Sequence, residues 1–480
     1  MADSGRGSEA RGASQVAITE CALPCPFEHL FPAVARERLP FILDSSLTDQ
    51  RLGRWSFLGF DPDLLVTADG RTTTIRGAGL RRCVPGSPFT ALREVLDSRR
   101  ARAADGAPPF CGGGVGYLAY DLKNHLERLP DTVRHDVSLP TLAFGFYAGI
   151  LAYEHATSRC VLCVSAPAAS VRGRADHLGR WRDRWRRLAE DAARQANADA
   201  PAAGLLSCNF TPAEYLEAVR RAIDYIAAGD IFQVNLSQRF STDVTAAPFD
   251  LYRRLRRSNP APFSAYLAYP AGAVLSSSPE RFLLVKDGHV QTRPIKGTRP
   301  RTGNEATDRR MRDELLASVK DNAELTMIVD LERNDLGRVC DYGSVRVTEK
   351  RVLEAYEKVF HLVATVEGDL HPRHDIVDLL KATFPGGSIT GAPKIRAMEI
   401  IDELEPTARS VYTGAIGYLG CDGACDLNVA IRTMLVVGGR AHVQVGGGIV
   451  ADSRPEAEYQ ETLDKGRAMF TALGADAAGT

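Results

Sequence analysis

Two acidic pairs in helical stretches are the residues best suited to hold a metal ion. Asp321 and Glu324 lie three residues apart in SVKDNAELTMIVDL, and Glu458 and Glu461 repeat this spacing in PEAEYQETLDKGRAM. Residues three apart project from one face of a helix, so each pair presents two carboxylates together. If the pairs face each other they would suit Mg²⁺, which takes one or two carboxylates and keeps several waters. Acidic pairs of this kind are also common on solvated helices, and spacing alone leaves both interpretations open.

Lys296 is the candidate nucleophile. It lies between Ile295 and Gly297 in TRPIKGTRPR, a strand-like apolar setting, whereas a lysine without a special role is usually exposed to water. Partial desolvation lowers the pKa of an amine and makes it a usable nucleophile. A lysine whose ammonium group reaches solvent, or one held in a salt bridge, fits the local sequence equally well.

Two glycine-rich segments are candidates for binding an anion. VQVGGGIVADS places Gly446–Gly448 after a strand, where bare backbone amides can approach an anion closely. FPGGSITGAPKIRAM ends at a helix start, with Ser388 or Thr390 as the expected cap and Pro393 near the first turn, where unpaired amides would favour a carboxylate. Neither segment matches GxxxxGKS/T, which excludes a nucleotide P-loop. Tight turns in a β-rich core explain each glycine cluster equally well.

The elements that must position these residues fall into four segments. Residues 1–14 form a small, polar tail. Residues 15–165 alternate short apolar runs with Gly/Pro/Asp turns, which is typical of a β-rich region. Residues 166–204 contain an Arg-rich helix with a tryptophan and leucine stripe, followed by a linker. Residues 205–475 are denser in helices alternating with strands, and they contain every candidate residue described above.

Length, charge and cysteine usage narrow the class of protein. The 480 residues exceed the roughly 250–300 at which a single core stops growing, which predicts two domains or one duplicated core. The 60 acidic and 59 basic residues nearly cancel, so no global field favours nucleic acid or an anionic membrane as partner. The most apolar long stretch, residues 141–153, is shorter than the about 20 residues that cross a bilayer. Ten scattered cysteines indicate a reducing cytoplasm.

Eight ordered motifs between Phe210 and Leu473 resemble the family of chorismate-utilising enzymes, which includes anthranilate, aminodeoxychorismate, isochorismate and salicylate synthases. The motifs are GDIFQVNLSQRF, SSSPERFL, RPIKGTRPR, AELTMIVDLERNDLGRV, FHLVATVEG, GGSITGAPKIRAMEIIDELEP, YTGAIGYL and GGGIVADS. The resemblance implies an α+β fold, a four-layer α/β/β/α sandwich in which two antiparallel sheets pack face to face with helices outside. Residues 15–165, which match more loosely through GRWSFLGFDP and GGGVGYLAYDL, would be the family's N-terminal region, and residues 205–475 its chorismate-binding catalytic domain.

Position 296 separates two branches of this family. Anthranilate synthases resemble PIAGT here, whereas aminodeoxychorismate synthases carry PIKGT, as this chain does. The resemblance therefore implies amination of chorismate at C4, giving 4-amino-4-deoxychorismate, the precursor of para-aminobenzoate and folate, with Lys296 adding at C2 as the C4 hydroxyl departs. Two alternatives stay open. One is an enzyme that makes anthranilate or 2-amino-2-deoxyisochorismate, and the other is a non-catalytic subunit that binds an amino acid or docks a glutaminase.

The resemblance also assigns roles to the other site residues by their motif positions. Glu280, in SSSPERF, would be the general acid that protonates the departing hydroxyl, and His361 would lie beside the ring. Glu324 and Glu461 would hold Mg²⁺ directly, with Asp321 and Glu458 reaching it through water. The binders of the carboxylate and enolpyruvyl groups would be Thr390, Tyr412, Arg432, Gly446, Gly447 and Gly448.

An ammonia source and a tryptophan pocket complete the expectations. The chain lacks a GxCxGxQ motif of class I glutaminases, which implies a separate glutaminase subunit that delivers ammonia. The family's tryptophan pocket uses a segment like LLES, and FILDSSL stands at that place here. Ser45 and Ser46 are therefore the candidate pocket residues. Asp44 departs from the pattern, which leaves open whether tryptophan binds.

Overall fold

The computed structural model consists of two large sheets that pack face to face between outer helices. It describes residues 14–47, 52–77, 79–165, 171–192, 205–356 and 359–475. The predicted α+β class and the four-layer α/β/β/α sandwich of two antiparallel sheets are confirmed. The predicted tail lies outside the described residues except for Ser14, which begins the first strand and so corrects the predicted boundary by one residue.

The helices form the two outer layers. In the described residues they are α1 (Phe31–Val34), α2 (Pro88–Ser98), α3 (Val171–Ala192), α4 (Pro212–Ala227), α5 (Pro248–Ser258), α6 (Glu305–Ala317), α7 (Val319–Gly337), α8 (Ile376–Thr383), α9 (Lys394–Leu404) and α10 (Pro455–Leu473). The Arg-rich helix α3 buries Trp185 and Leu188 and leaves its charged face to solvent, as predicted. The linker predicted after it lies outside the described residues.

The first sheet has thirteen strands in the described residues. In spatial order they are β12 (Ser207–Cys208), β13 (Gln233–Asp243), β25 (Arg440–Ile449), β24 (Thr433–Val437), β15 (Gly272–Ser278), β14 (Phe263–Tyr269), β2 (Phe41–Asp44), β3 (Trp55–Gly59), β10 (Gly149–Glu154), β11 (Arg159–Ser165), β1 (Ser14–Glu20) and β7 (Ala101–Arg102), with β21 (Gly391–Ala392) also paired to β13. The short pairing of β1 with β7 is parallel, and the others are antiparallel.

The second sheet has twelve strands in the same part of the chain. In spatial order they are β18 (Ile295–Pro300), β20 (Val359–Asp369), β17 (His289–Arg293), β16 (Arg281–Lys286), β23 (Cys425–Val429), β22 (Ala415–Gly420), β8 (Gly113–Leu118), β9 (Leu142–Tyr147), β4 (Leu64–Asp69), β5 (Thr72–Gly77) and β6 (Leu80–Pro85), with β19 (Arg346–Ala355) also paired to β20. Residues 141–153, the most apolar stretch, contain all of β9 and most of β10.

Each sheet combines strands from the N-terminal and C-terminal regions of the chain. In the first sheet Ile42 of β2 pairs with Tyr266 of β14, and in the second Tyr117 of β8 pairs with Ile416 of β22. The predicted regions 15–165 and 205–475 therefore share both sheets. A core of apolar and aromatic side chains fills the space between the sheets and contains residues from both regions.

Further apolar cores join the sheets to their helices, and two of them hold the helices that carry the acidic pairs. One holds α2, α7 and α8 against the second sheet, and the other holds α1, α3, α5 and α10 against the first. Burial of about 25 cal/mol per Å² of apolar surface makes these cores the main source of stability. They fix α7 and α10, which carry the acidic pairs. Within the described residues no helix is long and apolar enough to span a membrane, and the ten cysteines are free thiols.

Candidate active site

Lys296 lies on β18 with its amine turned into the protein. Its Nζ donates a hydrogen bond to the carbonyl oxygen of Ser388 at 3.0 Å. Burial lowers the pKa of Lys296, and the nearby carboxylates of Glu324 and Glu280 oppose this effect. No carboxylate of the described residues makes a direct ion pair with Nζ. The desolvated-lysine interpretation, and not the salt-bridged one, therefore fits the structure.

Glu280 is a buried carboxyl group between β15 and β16. Its side chain accepts a hydrogen bond of 2.6 Å from the Ser388 hydroxyl. Burial raises the pKa of Glu280, while the Ser388 hydrogen bond and the charge of Lys296 lower it in part. A carboxyl group with a raised pKa can retain its proton nearer neutral pH and donate it as a general acid.

Ser388 joins these two groups, and the sequence analysis missed this role. Its carbonyl oxygen accepts from Lys296 and its hydroxyl donates to Glu280, so one residue of the loop before α9 holds both side chains. The expectation that Ser388 or Thr390 caps a helix is wrong, because α9 begins after Pro393 and has no side-chain cap. Instead the buried Thr390 hydroxyl donates to the carbonyl of Gly386 at 2.9 Å. The hydroxyl oxygen of Thr390 keeps a lone pair for a ligand.

His361 lies on β20, beside β18. Its Nδ1 is 3.0 Å from the hydroxyl of Thr298, and its Nε2 has no hydrogen-bond partner among the described residues although the side chain is buried. Burial, together with the charge of Arg432, lowers the pKa of His361 to about 3. The imidazole is therefore neutral near pH 7. Because an unpaired buried nitrogen is costly, Nε2 is a candidate contact for a bound molecule.

Arg432 is a cation without a carboxylate partner in the part of the chain that the structure describes. Its Nη1 donates to the side-chain oxygen of Asn259 at 3.1 Å, and burial lowers its pKa. Its backbone has a φ of 49°, in the left-handed region that costs energy for a residue with a Cβ. A half-buried, uncompensated guanidinium suits a carboxylate ligand, which it can bind through two parallel hydrogen bonds.

Gly446, Gly447 and Gly448 lie inside β25, and not after the end of a strand as expected. Gly446 pairs with Ser237 and Gly448 with Asn235 of β13. On its other edge β25 pairs with β24 only as far as Val443, so the amides beyond Val443 that point to this edge lack a strand partner in the described residues. The prediction that backbone amides at these glycines bind an anion is therefore compatible with the pairing of β25.

Close packing explains why glycine is required there. A Cβ on Gly448 would lie 2.4 Å from the side-chain nitrogen of Gln233, and one on Gly446 would lie 2.6 Å from the carbonyl of Leu236. The neighbouring strand β13 also carries two buried polar atoms without partners among the described residues, Oε1 of Gln233 and Nδ2 of Asn235. The sequence analysis missed both residues. The available signal was that Gln233 and Asn235 alternate with the apolar Val234 and Leu236, so both polar side chains point to one face of the strand.

The acidic pairs lie on α7 and α10 as predicted. A Cβ on Gly447 would be 3.3 Å from Glu458 Oε2 and 3.6 Å from Glu461 Oε1, so both carboxylates of α10 face the glycine strand. Lys320 of α7 approaches Glu458 at 3.6 Å, and Lys465 pairs with Glu461 at 2.7 Å. Lysine charges thus balance the carboxylates in this structure.

The carboxylates of α7 differ in their surroundings. Glu324 is half-buried, and burial raises its pKa while Lys296 lowers it. Asp321 pairs with Arg299 at 3.2 Å and lies against Gly297. Within the described ranges no three His, Cys, Asp or Glu side chains are close enough to hold a metal ion in common. The oxygen donors nevertheless fit Mg²⁺, which needs only one or two carboxylates and completes its shell with water and substrate.

Ser45 and Ser46, the candidate tryptophan contacts, already have partners in the protein. The Ser45 hydroxyl donates to the carbonyl of Trp55 at 2.7 Å, and the Ser46 hydroxyl lies 2.9 Å from that of Ser264. Asp44, the departure from the family pattern, is buried and forms an ion pair with the partly exposed Arg256. The tryptophan pocket remains a prediction.

Comparisons with known proteins agree with this geometry. The model of the chorismate binding enzyme family matches residues 41–471. Aminodeoxychorismate synthase component 1 of Salmonella typhimurium is 41% identical over 94% of this chain and 97% of its own length. Anthranilate synthase component 1 of Streptomyces coelicolor is 42% identical over 90% of this chain and 83% of its own.

A solved structure extends the agreement to the fold. Anthranilate synthase component I from Streptococcus pneumoniae superposes with a TM-score of 0.76 at 33% identity, covering 88% of this chain and 93% of that one. The sequence motifs, the two sheets and these relatives lead to the same assignment. The chain belongs to the family of chorismate binding enzymes.

Proposed function

We propose that this chain converts chorismate and ammonia to 4-amino-4-deoxychorismate, the precursor of para-aminobenzoate and folate. The observation that carries the proposal is Lys296, an amine with a lowered pKa, linked through Ser388 to the protonatable carboxyl of Glu280. A nucleophile and a general acid held by one residue can act in the same displacement. The amine forms the new bond while the carboxyl protonates the departing hydroxyl.

Two displacements complete the proposed reaction. In the first, Nζ of Lys296 forms a bond to C2 of chorismate, both ring double bonds shift by one position, and the C4–O bond breaks as Glu280 donates a proton to the departing hydroxyl, giving water. In the second, ammonia forms a bond to C4, both double bonds shift back and the C2–N bond to Lys296 breaks. Lys296 leaves as the neutral amine with the electron pair of that bond, and the one proton lost by the new ammonium group at C4 restores Glu280. Each step replaces one bond, so no oxidant or reductant is needed.

The remaining side chains orient the substrate in this proposal. Arg432 binds a carboxylate, the open edge at Gly446, Gly447 and Gly448 offers amides to the same group or to the enolpyruvyl group, and Tyr412 and Thr390 line that end of the site. The neutral His361 contacts the ring region through Nε2. Because the reacting carbons are held close to Lys296 and Glu280, the bimolecular reaction becomes effectively intramolecular. This lowers the activation free energy by several kcal/mol (about 7–11 in the best cases).

Mg²⁺ is proposed as the cofactor, held by Glu324 and Glu461, with Asp321 and Glu458 reaching it through water. When bound it would neutralise a carboxylate of the substrate and fix its orientation. The support is the convergence of Glu458 and Glu461 on Gly447, next to the amides proposed for the substrate. Lys320 and Lys465 would give up part of their contact with these carboxylates as the ion enters.

Removal of divalent ions is expected to stop turnover and to lower the thermal stability of the chain. Mg²⁺ that binds only the folded state raises the melting temperature by mass action. We expect addition of millimolar Mg²⁺ to chelator-treated protein to raise the melting temperature of the natural chain and not that of Glu324→Gln. Glu456→Gln, on the exposed side of α10, is the control and should respond like the natural chain. An equal shift in all three proteins would contradict the assigned ligands.

Ammonia is proposed to come from a glutaminase subunit. The chain has no class I glutaminase motif, and the Salmonella relative is named component 1, which implies a second component for that protein. We infer that the present chain has such a partner.

Two other functions compete with this proposal. Relatives named anthranilate synthase have similar identity. The resemblance on which the branch assignment rests places PIAGT in anthranilate synthases, with alanine where this chain has Lys296. A non-catalytic subunit that binds an amino acid would not need Lys296, Glu280, Glu324 and Glu461 together. Neither alternative accounts for an amine and a carboxyl joined through one serine.

Identification of the product tests the proposed function directly. The chain is incubated with chorismate, Mg²⁺ and an ammonium salt, and the products are separated and identified by mass and absorbance. We expect 4-amino-4-deoxychorismate, with the fluorescence of anthranilate at background. Fluorescent anthranilate as the main product would overturn the proposal, and consumption of no chorismate would favour the non-catalytic subunit.

A further inference from the structure

Arg409 is a fully buried arginine for which the sequence analysis gave no role. It pairs with Glu405, four residues earlier in the chain, with Nη2 at 2.7 Å and Nε at 2.9 Å from the two carboxylate oxygens. The side chains of Arg409 and Glu405 are 1% and 2% exposed. A buried ion pair is weak evidence of stability, because desolvation of the charges offsets their attraction. The desolvation free energy of this ion pair therefore points to a role other than stability.

All five N–H groups of the Arg409 guanidinium have acceptors. Besides the two bonds to Glu405, Nη1 donates to the carbonyl of Ile389 at 3.1 Å and to the Thr413 hydroxyl at 3.2 Å, and Nη2 donates to the carbonyl of Asn235 at 2.5 Å. Five donors in a fixed plane are the full capacity of arginine. The guanidinium is therefore a rigid connector between three segments that are distant in sequence.

Two of those segments form the two sides of the candidate site. Ile389 follows Ser388, the residue that holds Lys296 and Glu280. Asn235 lies on β13 directly opposite Gly448. The guanidinium thus joins the loop that holds the reacting groups to the strand that pairs with the glycines.

Glu405 and an aromatic ring strengthen the same connection. Glu405 Oε1 accepts from the backbone nitrogen of Ser237 at 2.8 Å and from its hydroxyl at 2.7 Å, and Ser237 lies opposite Gly446. The Arg409 guanidinium also lies 5.9 Å from the ring centre of Tyr412. The pair therefore contacts the loop that contains Ser388, the strand that pairs with the glycines, and Tyr412.

We propose that Arg409, oriented by Glu405, is a positioning residue that sets the distance between the Ser388 loop and the glycine strand. This inference rests on the proposed function, since it assigns Ser388 to the reacting groups and the glycines to the substrate carboxylate. Lysine cannot replace arginine here, because a single ammonium group with three donors cannot span Glu405, Ile389 and Asn235 in one plane. Loss of the connector leaves both sides folded but moves them apart.

Arg409→Lys tests the inference, with Arg239→Lys as the matched control. Arg239 is also a buried arginine and belongs to β13 itself. It pairs with Asp136 and donates to the carbonyl of Ala408 at 3.3 Å, and not to the loop that contains Ser388. With ammonium as the nitrogen source, we expect kcat/KM for chorismate to fall about 10–100-fold in Arg409→Lys, because a displacement of about 1 Å at a site can cost 10²-fold. Arg239→Lys should stay within about threefold of the natural chain at a similar melting temperature.

The pH profile separates positioning from loss of structure. The Ser388 hydrogen bond lowers the pKa of Glu280, so a displaced Ser388 lets that pKa rise. The alkaline limb of kcat/KM should then move to higher pH in Arg409→Lys and not in Arg239→Lys. Equal losses of activity in the two variants at equal melting temperatures, with unmoved limbs, would overturn the inference.

Two further measurements keep the test decisive. If Arg409→Lys does not fold, Glu405→Gln replaces it as the test, because the amide keeps an acceptor for Ser237 but no longer holds the guanidinium by charge. We expect the same fall in kcat/KM and the same shift of the alkaline limb. An unchanged kcat/KM in Glu405→Gln would overturn the inference. Chorismate consumption is recorded separately from product identity. Anthranilate as the product would end the proposed function and still leave the comparison of the two arginine variants readable.

Discussion

Alanine in place of Lys296 is expected to reduce formation of 4-amino-4-deoxychorismate by about 10³-fold or more, equivalent to about 4 kcal/mol of transition-state stabilisation. The amine supplies the nucleophile for the first displacement, and no other lysine of the described residues donates to Ser388. Chorismate should still bind, because Arg432 and the glycine strand are untouched. Product formation by mass spectrometry and chorismate affinity by titration measure the two effects separately.

Arginine at the same position is the informative control. Lys296→Arg keeps a positive charge near Glu324 and Glu280 but has no amine that can be freed of its proton, since the guanidinium pKa lies above 12. If Lys296 acts as a nucleophile, the arginine variant should be as inactive as the alanine variant. Substantial activity in Lys296→Arg would show that only the charge matters. In the natural chain, a mass increase in the protein during turnover, absent in both variants, would report the covalent adduct.

The sequence predicted the parts of this site whose signal is local. Lys296 was singled out because an amine between Ile295 and Gly297 conflicts with a strand-like setting, and its lowered pKa agrees with that interpretation. The acidic pairs were found because helical spacing of three places both carboxylates on one face, and α7 and α10 are helices. The four-layer fold was predicted from the resemblance to a family. In the structure α7 packs against the second sheet and α10 against the first.

What the sequence did not predict depends on contacts between distant residues. Ser388 was expected to cap a helix, because a serine before an apolar helical run usually does so. The structure places it 108 positions from Glu280 in sequence and within hydrogen-bonding distance in space. Arg409 shows the same limit, since its acceptor Asn235 lies 174 positions away. Pairing of β13 with β25, which no local pattern specifies, places the glycines within a strand and not in a loop.

Glutamine in place of Glu280 is expected to lower turnover by about 10²–10⁴-fold, the range for loss of a general acid. The amide keeps the size of the side chain and can still accept the 2.6 Å bond from Ser388, so Lys296 should stay in place. Because the proton donor is lost and the substrate contacts remain, kcat should fall far more than chorismate affinity. Steady-state kinetics with ammonium as the nitrogen source would record this difference.

Glu332→Gln is the matched control for that loss. Glu332 is also a buried glutamate, whose pKa is raised by burial and by the nearby charge of Glu280. It accepts a bond from Thr292 at 3.2 Å, and within the described residues it makes no hydrogen bond to Lys296 or Ser388. Its replacement should leave kcat within a few-fold of the natural chain. An equal loss in both variants would mean that a buried carboxyl in this region supports the structure and does not deliver a proton.

The pH dependence of the natural chain gives Glu280 and Lys296 opposite signs. Lys296 must be unprotonated to attack, and burial lowers its pKa, so activity is lost as the pH falls below that lowered value. Glu280 must be protonated to donate, and burial raises its pKa, so activity is lost as the pH rises above that raised value. Glu280→Gln should therefore abolish the alkaline limb and keep the acid limb. The acid limb is assigned to Lys296 and the alkaline limb to Glu280. A variant of one residue that removes only its own limb therefore identifies the group whose protonation state that limb reports.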